Sequence, residues 1–129
     1  MSSLLGLTPT MRVVLRNPLQ KKEYPLAGHL VAVVDTGYEG FVALPRDVFS
    51  SLFMGLQVHK RMVMLANGTM VSSEGTYGAF RAEGIALEAD GFVETYEGLD
   101  EVLLGVEALS HSSVLLDYCN RRVEVETRP

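Results

Sequence analysis

Residues 30–34, Leu-Val-Ala-Val-Val, deliver the chain straight to Asp35, Thr36 and Gly37, and after Gly40 a second apolar run, Phe41-Val42-Ala43-Leu44, ends at Pro45. Short apolar runs bounded by glycine and proline read as buried strands. A carboxylate pinned between two such strands is costly unless it is paired, hydrogen-bonded or put to use. The order strand, Asp-Thr-Gly loop, strand therefore predicts a β fold built around one candidate functional acid.

The remaining segments agree with a β fold. Residues 11–16, with Val13, Val14 and Leu15, predict a first strand, stopped at Asn17-Pro18 because proline cannot donate to a ladder and asparagine favours turns. Residues 29–34 predict a second strand, paired with the first. Pro45 near a start, apolar residues at Val48, Phe49, Leu52 and Phe53, and Gly55 as a stop predict one short amphipathic helix. Further strands are expected at 62–65, 70–73, 77–87 and 92–96, with Asn67-Gly68 as a hairpin tip and Glu88-Ala89-Asp90-Gly91 as a turn. A helical turn at 106–109 and strands at 114–118 and 123–126 complete the pattern. Six or more short strands with one or two short helices make an all-β domain. It is expected to span 1–129 as a single unit, with residues 1–10 as a loose leader.

Charge and composition then exclude several classes. A formal net charge of −5, with basic residues only in small pairs such as Lys21-Lys22 and Lys60-Arg61, argues against a nucleic-acid partner. No apolar run approaches a membrane span, so no membrane partner is expected. Cys119 is the lone cysteine and has no internal disulfide partner, which points to a reducing cytoplasm. His29, His59 and His111 lie far apart in sequence and none falls in a metal-ligand spacing, so neither a metal nor any other cofactor is expected. The glycine-flanked serine elbow, the P-loop and the dinucleotide glycine fingerprint are all missing.

Four groups of residues then carry a resemblance. They are Arg16-Asn17-Pro18 after the first strand, Val33-Val34-Asp35-Thr36-Gly37 followed by Gly40-Phe41 and Leu44-Pro45, Leu65-Ala66-Asn67-Gly68-Thr69, and Leu103-Leu104-Gly105 followed by Leu109 and Leu115-Leu116-Asp117. In this order and spacing, covering residues 11–126, the chain resembles the retropepsin-like aspartic peptidases, in particular their small single-domain prokaryotic members. The resemblance implies a closed β-barrel of the acid-protease type with Asp35, Thr36 and Gly37 as the catalytic loop. It also implies a flap at Ala66, Asn67, Gly68 and Thr69, and subsites lined near Phe41, Leu65 and Leu104.

Such chemistry needs two carboxylates, which at close range share one proton and titrate as a unit. One takes a proton from the attacking water while the other donates to the developing oxyanion. This chain holds a single Asp-Thr-Gly, and Asp90, Asp100 and Asp117 read as turn or surface acids. An active enzyme must therefore be a twofold homodimer with Asp35 of each subunit on the axis, cutting a peptide or protein substrate. By resemblance, Thr36 bonds across that axis and the Gly37 N–H holds the carboxylate. Three departures from the viral enzymes stand out: Tyr38 follows Gly37, Val106 follows Gly105 in place of an arginine, and Glu39 stands where that arginine's acidic partner is sought. The alternative is a catalytically silent dimer on the same fold, serving as a peptide-binding or structural module.

Overall fold

A computed structural model describes residues 2–65 and 67–127. Eleven strands and one helix follow in the order β1 (Ser2–Leu5), β2 (Thr8–Asn17), β3 (Lys22–Tyr24), β4 (Leu30–Val34), β5 (Val42–Ala43), α1 (Arg46–Phe53), β6 (His59–Met64), β7 (Met70–Ala82), β8 (Glu88–Tyr96), β9 (Leu103–Leu104), β10 (Ser112–Asp117) and β11 (Arg122–Thr127). The protein is all-β, as its alternation and turn residues predict. Nine strands form one sheet in the order β1-β2-β4-β9-β5-β8-β7-β6, with β3 against β2 and an additional β2–β7 ladder, while β10 and β11 form a separate hairpin.

Strand β2 is the hub. Met11, Val13 and Leu15 alternate inward and are buried, as period-two geometry requires of a strand with one face on the core. Its two edges serve four partners: β4 runs antiparallel beside residues 10–13 and β7 beside residues 13–16, with β1 and β3 at the ends. At the C-terminal end, the fully buried Asn17 donates from Nδ2 to the Leu52 carbonyl at 2.9 Å and to Gln20 Oε1 at 2.9 Å. The residue that stops the strand thus also satisfies a carbonyl left open at the end of α1.

Helix α1 buries Val48, Phe49, Leu52 and Phe53 against the main core and ends before Gly55, whose φ is +87°. That core also holds Phe41, Phe80, Val93 and Leu104, with the Phe41 and Phe80 rings 5.7 Å apart. The β10–β11 hairpin joins it through Val114 and Val125.

Three local expectations are corrected. Residues 2–10 are not a loose leader: the chain reverses after Leu5 and pairs Ser2 with Met11, and the buried Thr10 hydroxyl donates to the Ser3 carbonyl at 2.9 Å. The strands expected at 70–73 and 77–87 are joined in one 13-residue strand, β7, because Glu74 and Gly75 break the apolar alternation without breaking the ladder, and that strand ends at Ala82, short of the expected 87. Residues 88–91 belong to β8, and the turn falls before them. Gly91 is there for space, since a Cβ at that position would lie 2.9 Å from the Phe41 ring.

A two-residue strand governs the site. Leu103 and Leu104 of β9 run parallel to β4 and antiparallel to β5, between the two arms that flank the Asp35 loop. Directly after them Gly105 passes so close to the Gly40 carbonyl and to Tyr38 that a Cβ would collide with backbone. Gly105→Ala is expected to cost about 3 kcal/mol of folding stability, the upper range for overpacking, because backbone rather than a flexible side chain must yield. Urea denaturation of the two proteins measures it; a loss below about 1 kcal/mol would mean that the loop relaxes freely.

Candidate active site

Asp35 leaves β4 with its backbone already fixed. Its N–H donates to the Leu104 carbonyl at 2.9 Å, its carbonyl accepts from Tyr38 N–H at 3.2 Å, and Oδ1 accepts from Gly37 N–H at 3.0 Å. A Cβ on Gly37 would stand 3.3 Å from that oxygen, so glycine lets the amide approach the carboxylate. Asp35 is half-buried and has no cationic partner among the described residues, while Thr36 is exposed and its hydroxyl makes no bond among them.

The loop faces the β6–β7 hairpin. Beyond Met64 the connection closes through Leu65 N–H to the Thr69 carbonyl at 2.8 Å and Gly68 N–H to the Leu65 carbonyl at 2.9 Å, while Thr69 N–H donates to Asn67 Oδ1 at 2.9 Å. Gly68 takes the left-handed conformation, φ +84°. Ala66 lies outside the described residues. Asn67 and Leu65 line a cavity of about 330 Å³ together with Asp35, Gly37, Met64 and Tyr96. A second cavity of about 550 Å³ continues it past Glu39 and Gly40 on one side and Arg61 to Leu65 on the other. Together they make a groove between the Asp35 loop and β6. Met62, Met64 and Met70 of the hairpin are all exposed, and Met62 and Met64 also line the groove.

Two of the expected subsite residues are elsewhere. Phe41 and Leu104 are fully buried in the main core, Phe41 against Phe80 and the Gly91 backbone and Leu104 between β4 and β5. Leu104 lies in β9 and Phe41 immediately precedes β5, and both side chains turn into the apolar core, whereas Leu103, the neighbour of Leu104, lines the groove. Leu65 does line it. A roomier hollow of about 610 Å³, bounded by Leu19, Leu56, Tyr77 and Phe92, has no carboxylate in its wall, so chemistry rather than size selects the groove.

Beneath the groove lies a polar network that the sequence did not reveal. Tyr38 is buried in the wall of both cavities, and its hydroxyl donates to Glu94 of β8, a residue with no exposed surface. Glu94 also accepts from Ser73 Oγ at 2.6 Å, from Arg61 Nε at 2.9 Å and from a second nitrogen of the same guanidinium. Burial works against the Glu94 charge, but the bonds from Arg61, Ser73 and Tyr38 together outweigh it and hold the carboxyl below its ordinary value. Burial and the bond to Glu94 push the Tyr38 hydroxyl up, and the bond to Glu94 raises Arg61. Tyr96, in the cavity wall, is also raised, chiefly by burial and then by the charge of Asp35. The available signal was a lone glutamate inside Phe92-Val93-Glu94-Thr95-Tyr96, an otherwise uncharged run.

Among the described residues no group of three or more His, Cys, Asp or Glu side chains is placed to hold a metal, and no helix is long and apolar enough to cross a membrane. The fold and the site define an all-β protein with an Asp-Thr-Gly loop facing a β-hairpin. A protein of Archaeoglobus fulgidus, described only as uncharacterized, is 40% identical over 121 residues, covering 93% of this chain and 94% of that one, and this chain belongs to its family. No family model matches the chain, and no solved structure matches it.

Because the folded state lowers the Glu94 pKa, its contribution to stability is complete above the ordinary glutamate value of 4.5 and is lost as pH falls through the lowered folded value. Glu94→Gln is expected to cost about 3 kcal/mol at neutral pH, as for a buried ion pair broken on one side. It should also flatten the loss of stability below pH 4.5. Urea midpoints for both proteins from acidic to neutral pH give the two slopes.

Proposed function

We propose that the protein is a retropepsin-like aspartic endopeptidase that works as a homodimer. The observation that carries this is the placement of Asp35. Its backbone is tied to Leu104, its carboxylate is held by the Gly37 amide, and it opens into a groove roofed by a hairpin. The pairing of β2 with both β4 and β7 is what a closed barrel of that family requires.

A single carboxylate cannot both activate a water and protonate the oxyanion at one scissile bond, so the second comes from the other subunit. The exposed Thr36 hydroxyl, without a bond among the described residues, is free to bond across the axis. The exposed Val106, whose N–H donates to the Tyr38 carbonyl at 2.9 Å, brings an apolar contact beside it. Once the two Asp35 carboxylates meet they share a proton: the ionised one deprotonates water, which attacks the carbonyl carbon, and the protonated one donates to the oxygen. The substrate lies extended in the groove, where β6, at the end of the sheet order, offers a strand edge unpaired among the described residues. The lone Cys119, exposed in the β10–β11 turn, suits a reducing cytoplasm.

Asp35→Asn is expected to abolish peptide cleavage, with a fall of at least about a thousandfold in kcat, and to leave the dimer largely formed. The test is digestion of a mixed peptide library from acidic to neutral pH by wild type and variant, with solution mass recorded for both. A dimer that cuts nothing moves the protein to a peptide-binding role, and a strict monomer removes the catalytic site altogether.

A further inference from the structure

We infer that Glu94 is the positioning residue of the groove: one buried carboxylate holds Tyr38 of the Asp35 loop and Arg61 of the hairpin strand, and so sets the distance between the two walls. The catalytic part of this inference rests on the proposed peptidase activity. The geometric part does not.

The two partners of Glu94 come from opposite sides of the groove. Tyr38 lies three residues after Asp35, and its N–H bonds the Asp35 carbonyl while its own carbonyl accepts from Val106 N–H. Any displacement of the Tyr38 ring is therefore passed to the backbone that carries the acid. Arg61 lies four residues before Leu65, which faces Asp35 across the smaller cavity. Its guanidinium makes two bonds to Glu94 and sits 5.2 Å from the Phe92 ring centroid, which fixes its plane as well as its charge. Ser73, paired with Arg61 across the β6–β7 ladder, supplies a further donor to Glu94.

Sheet stability alone does not call for this arrangement. A buried ion pair is a weak source of stability compared with apolar residues of the same volume, and its attested use is to fix one geometry among several. Here the fixed geometry is that of the two walls. Arg61 is the last polar side chain of β6 before the tip, and it anchors that strand to the Asp35 loop through Glu94.

The test combines kinetics with amide hydrogen exchange on the full-length protein, using Tyr38→Phe, Arg61→Met, the double variant and Glu94→Gln. Each single change at 38 or 61 is expected to lower kcat about tenfold with KM moving less than about threefold, as for misplacement of a reacting group. The double variant should be no worse than Glu94→Gln, because both partners act through one carboxylate. Losses that multiply independently would overturn the inference.

In the exchange arm, Tyr38→Phe should speed exchange in residues 59–64, and Arg61→Met should speed it in residues 35–40, with residues 112–127 unchanged. Effects confined to the mutated wall would overturn the inference even if Glu94→Gln does not fold. A wild type that cuts no peptide would end the peptidase proposal, while the exchange data would still decide whether Glu94 joins the walls.

Discussion

The structure depends on two residues of backbone threaded between two others. Leu103 and Leu104 fill the gap between β4 and β5, and without them neither arm of the Asp35 loop would have a neighbour for its inner backbone groups. The bonds from Val33 N–H to the Val102 carbonyl at 2.7 Å, from Asp35 N–H to the Leu104 carbonyl and from Gly105 N–H to the Phe41 carbonyl at 2.9 Å satisfy those groups in a region closed to water. An unpaired amide there would cost a few kilocalories. The same bonds aim Asp35 outward. Order in the core and exposure of the acid thus have one cause.

Around that crossing the protein uses two kinds of cohesion on two sides. The main core under α1 and β2 is apolar and close-packed, with Phe41, Phe80, Leu104 and Val93 among its buried members. The side toward the hairpin has a smaller apolar cluster, Tyr38, Val63, Tyr96 and Leu103, and beside it the carboxylate of Glu94. Apolar packing is indifferent to small slides of one surface over another, whereas a carboxylate filled by hydroxyl and guanidinium donors is directional. The wall that borders the groove therefore has the directional contacts, and the wall far from it has the nondirectional ones.

Much of the fold was legible because local chemistry and global structure agree. The apolar runs of β2 and β4 mark buried strands, Asn17-Pro18 ends the first of them, and the apolar spacing of α1 marks a helix. The errors share an origin in residues chosen for distant neighbours. Gly91 reads as a turn but makes room for Phe41, fifty positions earlier; Gly75 reads as a break but lies under the Phe92 ring. Residues 2–5 have no periodicity that marks a strand, and only the edge of β2 makes them one. At the site, Asp35 to Gly37 stood out because a carboxylate between apolar runs is anomalous, whereas Phe41 and Leu104 were assigned to the groove although their own runs predict burial. Glu94 escaped notice because its partners, at 38, 61 and 73, are separated from it by 21 to 56 positions.

The crossing also sets an order of events. Asp35 and the carbonyl that fixes it belong to residues 35 and 104, so the loop is the product of a late, long-range closure. Contacts of that separation form slowly, since chain entropy must be overcome before they give anything back. During synthesis, a nascent chain that has not yet delivered Leu104 carries Asp35 on an unanchored turn. The acid acquires its orientation only when most of the chain has been made.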